Sequence, residues 1–394
     1  MNNEKRTEIL GKDQEKITER IKRIENAIPQ ATLKDGRPFA IWDDVGTITE
    51  RMNAFNVPGI SIAVINNFEL EWLKCFGIKD VKTKEEVTLD TLFEGGSTAK
   101  AITAAVLLQA VEENIIDLDE PVNDKLKGWK IPENEYTKET AITLRHLLTH
   151  TSGINRPDSM FGYEQGSEPS IEQVLRGEYP AKNDPVEVQF TPGTDHQYSN
   201  FGYVIIQKYL EDVFGENFSK IVEDKLFKPL DMTSSQFGYP SNKNRDKAIV
   251  PHNEKGEAEE SGIHPSALAM GGLVSTPRDL GKFIIELIKA YNGQKSKYLS
   301  TSLVQKMFSS EVKLEPSKWF GFTDQGLGMY LIQGEKELFF THPGTNMPGA
   351  TCLIFGNPTT GQGAILMANG IQGELVNLQL IFSIVKEYNW NLWQ

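Results

Sequence analysis

The chain has 394 residues, 39% of them hydrophobic and 24% charged, with a formal net charge of −13 and a pI near 5.1. That length buries a large core and allows two domains, or one domain with an insertion; the acidic balance argues against nucleic acid or an anionic membrane surface as partner, because either needs a basic patch. The two cysteines, Cys75 and Cys352, lie in apolar, strand-like stretches and read as small core residues, not as a disulfide or a metal site.

Residues 1–30 contain no apolar run, hence neither a signal peptide nor a membrane-spanning helix as written. This points to the cytoplasm, or to a secreted or periplasmic location if a leader has been removed. Ile17, Ile21, Ile24 and Ile28 recur at spacings of four, three and four between Glu, Lys and Arg, one stripe of an amphipathic helix. The helix belongs to an N-terminal extension over residues 1–40 and is expected to pack on the body of the protein or, as a homo-oligomer contact, on a second subunit. Residues 42–56 are again helical in pattern, and Val57-Pro58-Gly59 stops them. Residues 60–65 and 68–76, joined at Asn66-Asn67, predict a β-hairpin, since Asn tolerates the positive φ of a two-residue turn.

After a charged loop over 79–86 comes Gly95-Gly96-Ser97-Thr98-Ala99-Lys100, followed by a long run of helix formers. Two glycines before a serine read as a tight turn that delivers Ser97 to the first turn of a buried helix. Positions three apart share a helix face, so the Lys100 amine reaches back to the Ser97 hydroxyl. A serine hydroxyl needs a neighbour to take its proton, and an apolar flank lowers the lysine pKa enough for that task. S-x-x-K also occurs at Ser310 to Lys313 and Ser383 to Lys386, both without the glycine lead-in.

Helices dominate from 112 to 311. Residues 143–153 predict a short helix with a Thr cap and a terminal Gly; His146 and His150 lie four apart on it, but no third metal ligand follows and both read as structural. Residues 155–184, rich in Gly, Pro, Ser and Asn, are a candidate wall of a substrate site. After the turn Thr191-Pro192-Gly193-Thr194 come Tyr198-Ser199-Asn200 and a helix over 201–214. Ser275-Thr276-Pro277 caps another helix, running to 291. Strands return at 328–332, 338–341, 350–355 and 364–368, and a helix closes the chain over 374–390. The pattern predicts an α+β fold: one antiparallel sheet from both termini (41–115 and 320–394) with a mainly helical insertion over 116–319, the active site at the seam.

Ser97-Thr98-Ala99-Lys100, Tyr198-Ser199-Asn200 and His342-Pro343-Gly344 stand in the order of the S-x-x-K, Y-x-N and K/H-x-G motifs. From about residue 42 onward the chain resembles the serine β-lactamase and penicillin-binding-protein superfamily, in its class C and esterase-like branch, and its fold is expected to be β-lactamase/transpeptidase-like. The resemblance implies a metal-independent serine hydrolase with no cofactor, working through an acyl-enzyme on Ser97, with Lys100 and Tyr198 catalytic. Tyr198, its phenolate stabilised near Lys100, would take the Ser97 proton; Asn200 would donate to the substrate and to Lys100. The N–H groups of Ser97 and Thr345 would form the oxyanion hole, and Gly344 would leave room for a substrate strand. His342 departs from the permanent cation of many relatives. With a pKa near ~6.5 it would change charge around neutral pH and hold a substrate carboxylate in its cationic form. The implied substrate is a small ester, amide or peptide, one bearing a D-residue included. A β-lactam or a D-alanyl-D-alanine peptide, an acyl acceptor other than water, and a non-catalytic penicillin-interactive or filament-forming role are the alternatives.

Overall fold

The computed structural model describes residues 6–156, 161–334 and 336–392. The chain opens on β1 (Thr7–Ile9), α1 (Gln14–Asn26), the hairpin β2 (Ile28–Lys34) and β3 (Arg37–Gly46), and α2 (Ile48–Ala54). β4 (Gly59–Asn66) and β5 (Glu69–Gly77) follow; β6 (Phe93–Glu94) leads into a 3₁₀ turn (Gly96–Thr98) and α3 (Ala99–Glu112). The helical part carries α4 (Val122–Lys125), α5 (Leu144–Leu148), α6 (Ile171–Arg176), α7 (Asn200–Phe214), α8 (Phe218–Val222), β7 (Gln236–Phe237), α9 (Asn242–Arg245), β8 (Leu273–Ser275), α10 (Pro277–Tyr291) and α11 (Thr301–Met307). β9 (Val312–Lys313), β10 (Asp324–Gln325), β11 (Tyr330–Gln333), β12 (Leu338–Asn346), β13 (Ala350–Asn357), β14 (Gln362–Ala368) and α12 (Gly373–Tyr388) return to the sheet.

Nine strands form one antiparallel sheet in the order β1-β5-β4-β14-β13-β12-β11-β10-β9. The two ends of the chain meet where β4 pairs with β14, Ala63 opposite Ile365. This is the α+β arrangement the sequence leads one to expect, with the helical part inserted between the two runs of strands. β4 is buried on both faces. Ala63 and Ile65 join the core under α3 and α10, while Ile60, Ile62 and Val64 join a second core with α1 and α12. A strand buried on both faces reads as an unbroken apolar run, which is why 60–65 was legible.

The N-terminal segment differs from the expectation. The isoleucine stripe is covered within the chain itself: Ile17, Ile21 and Ile24 are buried against the sheet and α12, Ser383 Oγ donates to the Ile24 carbonyl at 3.0 Å, and Arg23 pairs with Glu387 at 2.6 Å. Of the two expected roles the structure has packing on the body, not a subunit contact through this stripe. α1 stops at Asn26, and Ile28 enters the same core from the first residue of β2, so apolar spacing outlasts the helix. Residues 28–46 form a hairpin that helical periodicity did not reveal, and only Ile48–Ala54 of the helix expected over 42–56 is present. The extension boundary placed at residue 40 falls inside β3; residues 1–5 lie outside the described residues. The β4–β5 turn sits one residue later than predicted, with positive φ at Asn67 (52°) and Phe68 (65°). Among the described residues no helix is long and apolar enough to cross a membrane.

Candidate active site

Ser97 is delivered by the turn after β6. Gly96 holds φ at +52°, a region that favours glycine, and a Cβ there would meet the Thr345 nitrogen at 2.5 Å. Thr98 Oγ1 closes the turn by donating to the Gly95 carbonyl at 2.8 Å. The α-helix proper starts at Ala99, with Ser97 in the 3₁₀ turn ahead of it. α3 is buried almost all round, so Lys100 is 0% exposed. Its Nζ lies 3.0 Å from Ser97 Oγ and donates to the Met270 carbonyl at 2.6 Å. Burial first, then the charge of Arg156, hold Lys100 well below an ordinary lysine. In its neutral form such an amine has a lone pair, and Ser97 is within reach of it.

Tyr198 arrives from the other side, at the entry to α7. Its hydroxyl donates to Ser97 Oγ at 2.9 Å, so the serine oxygen sits between a buried amine and a phenol. Burial pushes Tyr198 up to about 12, against the opposite pull of the Ser97 hydrogen bond and of Arg156. The phenolate expected from the sequence is therefore not the resting form. His150 underlies this tyrosine: the ring centres are 4.4 Å apart, and His150 Nδ1 accepts from the Ser199 N–H at 3.2 Å. His146 instead closes the cap of α5, its Nδ1 accepting from the Thr143 N–H at 3.3 Å. Among the described residues no group of three or more His, Cys, Asp or Glu is gathered as for a metal. Asn200 does not bond Lys100; its Oδ1 is buried without a hydrogen-bond partner among the described residues.

β12 supplies the third side. β13 pairs with it throughout Phe340 to Asn346, whereas β11 pairs only as far as Thr341, leaving the edge beyond Thr341 open beside the Ser97 turn. The reason for glycine at Gly344 differs from the expectation. A Cβ there would lie 2.0 Å from the Gly95 carbonyl and 3.0 Å from the Ser97 nitrogen, so the missing side chain makes room for the Ser97 turn. This contact brings Ser97 and Thr345 together, and Thr345 Oγ1 is further held by Glu374.

His342 also differs. It is 2% exposed, its Nδ1 pairs with the Pro343 carbonyl at 2.7 Å, and its ring is 5.5 Å from that of Tyr330. Loss of solvation, with the nearby Lys100 adding, lowers it to about 3. It stays neutral across the physiological range, so the pH-switched grip on a carboxylate expected from an ordinary histidine is absent.

All six histidines lie below the ordinary value, each mainly through desolvation, His264 at about 4. The unfolded chain binds these protons near pH ~6.5, the folded one only at lower pH. Below ~6.5 the unfolded state therefore holds more protons, and stability falls with falling pH. Glu94 and Glu211, raised by burial, oppose this in part. The urea midpoint is expected to drop between pH 7.5 and pH 5.5; an unchanged or higher midpoint at pH 5.5 contradicts the burial of these rings.

The spare S-x-x-K pairs are structural. Ser310 and Lys313 both bind Asp324, while Ser383 caps α1 from α12 and Lys386 lies 3.8 Å from the centre of the Trp42 ring. Of the loop expected as a substrate wall, residues 157–160 lie outside the described residues, α6 interrupts the rest, and Phe161 is buried against Phe201. What reaches the site from it is Arg156, whose guanidinium carbon lies 5.8 Å from the centre of the Tyr198 ring. Sequence reasoning missed Arg156 and the Met270 carbonyl; a main-chain oxygen leaves no signal in the sequence.

Sheet order, inserted helices and the three motif segments together define a chain of the β-lactamase-like fold class. The Beta-lactamase family model matches residues 46–381, and the chain belongs to that family. It is 26% identical over 263 residues to an unguisins hydrolase of Aspergillus campestris, covering 63% of this chain and 47% of that protein. With Protein flp of Staphylococcus aureus it shares 27% over 194 residues, 49% of this chain and 38% of that one. The chain thus spans about half or less of the length of these relatives. Among solved structures, the octameric penicillin-binding protein homologue from Pyrococcus abyssi aligns with a TM-score of 0.70 at 24% identity, over 86% of this chain and 76% of that one. The D-amino acid amidase from Ochrobactrum anthropi aligns at 0.69 and 22%, over 86% and 97%. At these identities the likeness concerns the fold.

Proposed function

We propose that the chain hydrolyses a small ester, or an amide including one with a D-residue, through an acyl-enzyme on Ser97. The observation that carries this is the double approach to Ser97 Oγ: Lys100 Nζ at 3.0 Å and the Tyr198 hydroxyl at 2.9 Å. Neutral Lys100 takes the serine proton as Oγ attacks the carbonyl carbon. The main-chain N–H groups of Ser97 and Thr345 receive the developing oxyanion. Tyr198, protonated at rest, gives its proton to the leaving atom as the old bond breaks, and recovers one from Lys100. Water then repeats the sequence on the acyl-enzyme. The hydrolase named among the curated relatives supports turnover over a non-catalytic role.

Buried, neutral His342 gives the third motif no cation, which disfavours substrates whose carboxylate lies close to the scissile bond, β-lactams and D-alanyl-D-alanine peptides among them. Initial rates with p-nitrophenyl butyrate, D-alanine p-nitroanilide and nitrocefin test this. The ester is expected to turn over faster than nitrocefin; the reverse order overturns the substrate reading.

A further inference from the structure

A cation close to Tyr198 comes from outside the three motifs. Asn155 is buried and tied on several sides: its Nδ2 donates to the Pro185 carbonyl at 3.0 Å, its Oδ1 accepts from the Glu187 N–H at 3.0 Å, and its carbonyl accepts from Ser199 Oγ at 2.9 Å. Ser199 is the middle residue of the motif that carries Tyr198. The next residue, Arg156, is therefore anchored by its main chain to the catalytic tyrosine segment, while its own side chain is exposed. Its guanidinium lies over the Tyr198 ring at 5.8 Å, and among the described residues no ion pair holds it. Its charge also acts, after burial, on Lys100.

We infer that Arg156 forms an anion subsite on the leaving-group side of Ser97, selecting esters or amides whose leaving group carries a carboxylate at a distance from the scissile bond. The inference rests on the proposed acyl-enzyme reading. Tyr198 hands its proton to the leaving atom, so that atom sits at the phenol hydroxyl, and a substituent extending from it passes the ring towards the guanidinium. A planar guanidinium suits a carboxylate, which it binds with two parallel N–H bonds.

Two esters with the same acetyl group, 4-acetoxybenzoate and 4-acetoxybenzamide, test it on wild type, Arg156→Gln and Arg156→Lys. Nucleophile and acyl group are common to both, so any effect of Arg156 on Lys100 cancels in the ratio of their kcat/KM values. Wild type is expected to favour the benzoate, and Arg156→Gln to lower that ratio about 3- to 10-fold, mainly through KM. Arg156→Lys restores part of it, and added salt shrinks the preference. A wild type without preference, or a ratio unmoved in Arg156→Gln, overturns the inference and leaves the hydrolase reading intact. An enzyme that turns over neither ester removes the hydrolase reading, and the subsite with it.

Discussion

Lys100→Ala is expected to slow the hydrolysis of p-nitrophenyl butyrate at least ~10²-fold in kcat, with KM little changed, because the role proposed for the residue concerns a proton and not recognition of the substrate. The basis is geometric before it is electrostatic. Lys100 Nζ is 3.0 Å from the serine oxygen, fixed by the Met270 carbonyl at 2.6 Å, and shut off from solvent by α3. Burial then holds the amine well below an ordinary lysine. Alanine also leaves a hole in the core, so Lys100→Met, which fills the space without the amine, belongs in the same experiment. Both variants are expected to show the same loss in steady-state kinetics. If Lys100→Met kept near wild-type turnover, the base would have to be sought in Tyr198, against the position of its hydroxyl as a donor.

The second large effect is expected at a residue with no side chain. Gly344→Ala places a Cβ 2.0 Å from the Gly95 carbonyl and 2.9 Å from the Thr98 nitrogen. All are main-chain atoms, so no side chain can yield, and either the Ser97 turn or β12 must move. Movement of either displaces one of the two N–H groups proposed for the oxyanion, and loss of one such donor lowers kcat about 10²–10³-fold. A measured kcat near that of wild type, with the fold verified by circular dichroism, contradicts the close packing of β12 on the turn. A lowered kcat with normal labelling by a small fluorophosphonate would still agree, because the serine and its base remain.

Much of the site was legible because its chemistry is local. Ser97 and Lys100 are one turn apart, Tyr198 and Asn200 flank a single residue, and Gly344 follows His342 by two, so each motif needs only a few residues of correct backbone. The sheet was legible where strands are buried on both faces, as in 60–65. What was lost depends on partners far away in sequence. The hairpin over 28–46 reads poorly because its outer face keeps Phe39 and Ile41 exposed, blurring the alternation of a half-buried strand. The turn moved to Asn67-Phe68 because the Phe68 ring covers Gly361, where a Cβ would lie 2.5 Å from it. An isolated histidine titrates near neutrality, so the motif alone suggests a switch at His342; its burial beside Lys100 is a fact of packing, not of the motif. Arg156 is silent in the sequence for a similar reason, since nothing in its neighbours announces that the Asn155 carbonyl is tied to Ser199.

Whether Ser97 is the nucleophile is tested most directly by intact-mass spectrometry after incubation with a fluorophosphonate, followed by peptide mapping, on wild type and on Ser97→Ala. The expected result is a single adduct on wild type, mapped to Ser97, and none on the variant. An adduct on any other residue, or a wild type that hydrolyses the ester yet takes no label, contradicts it.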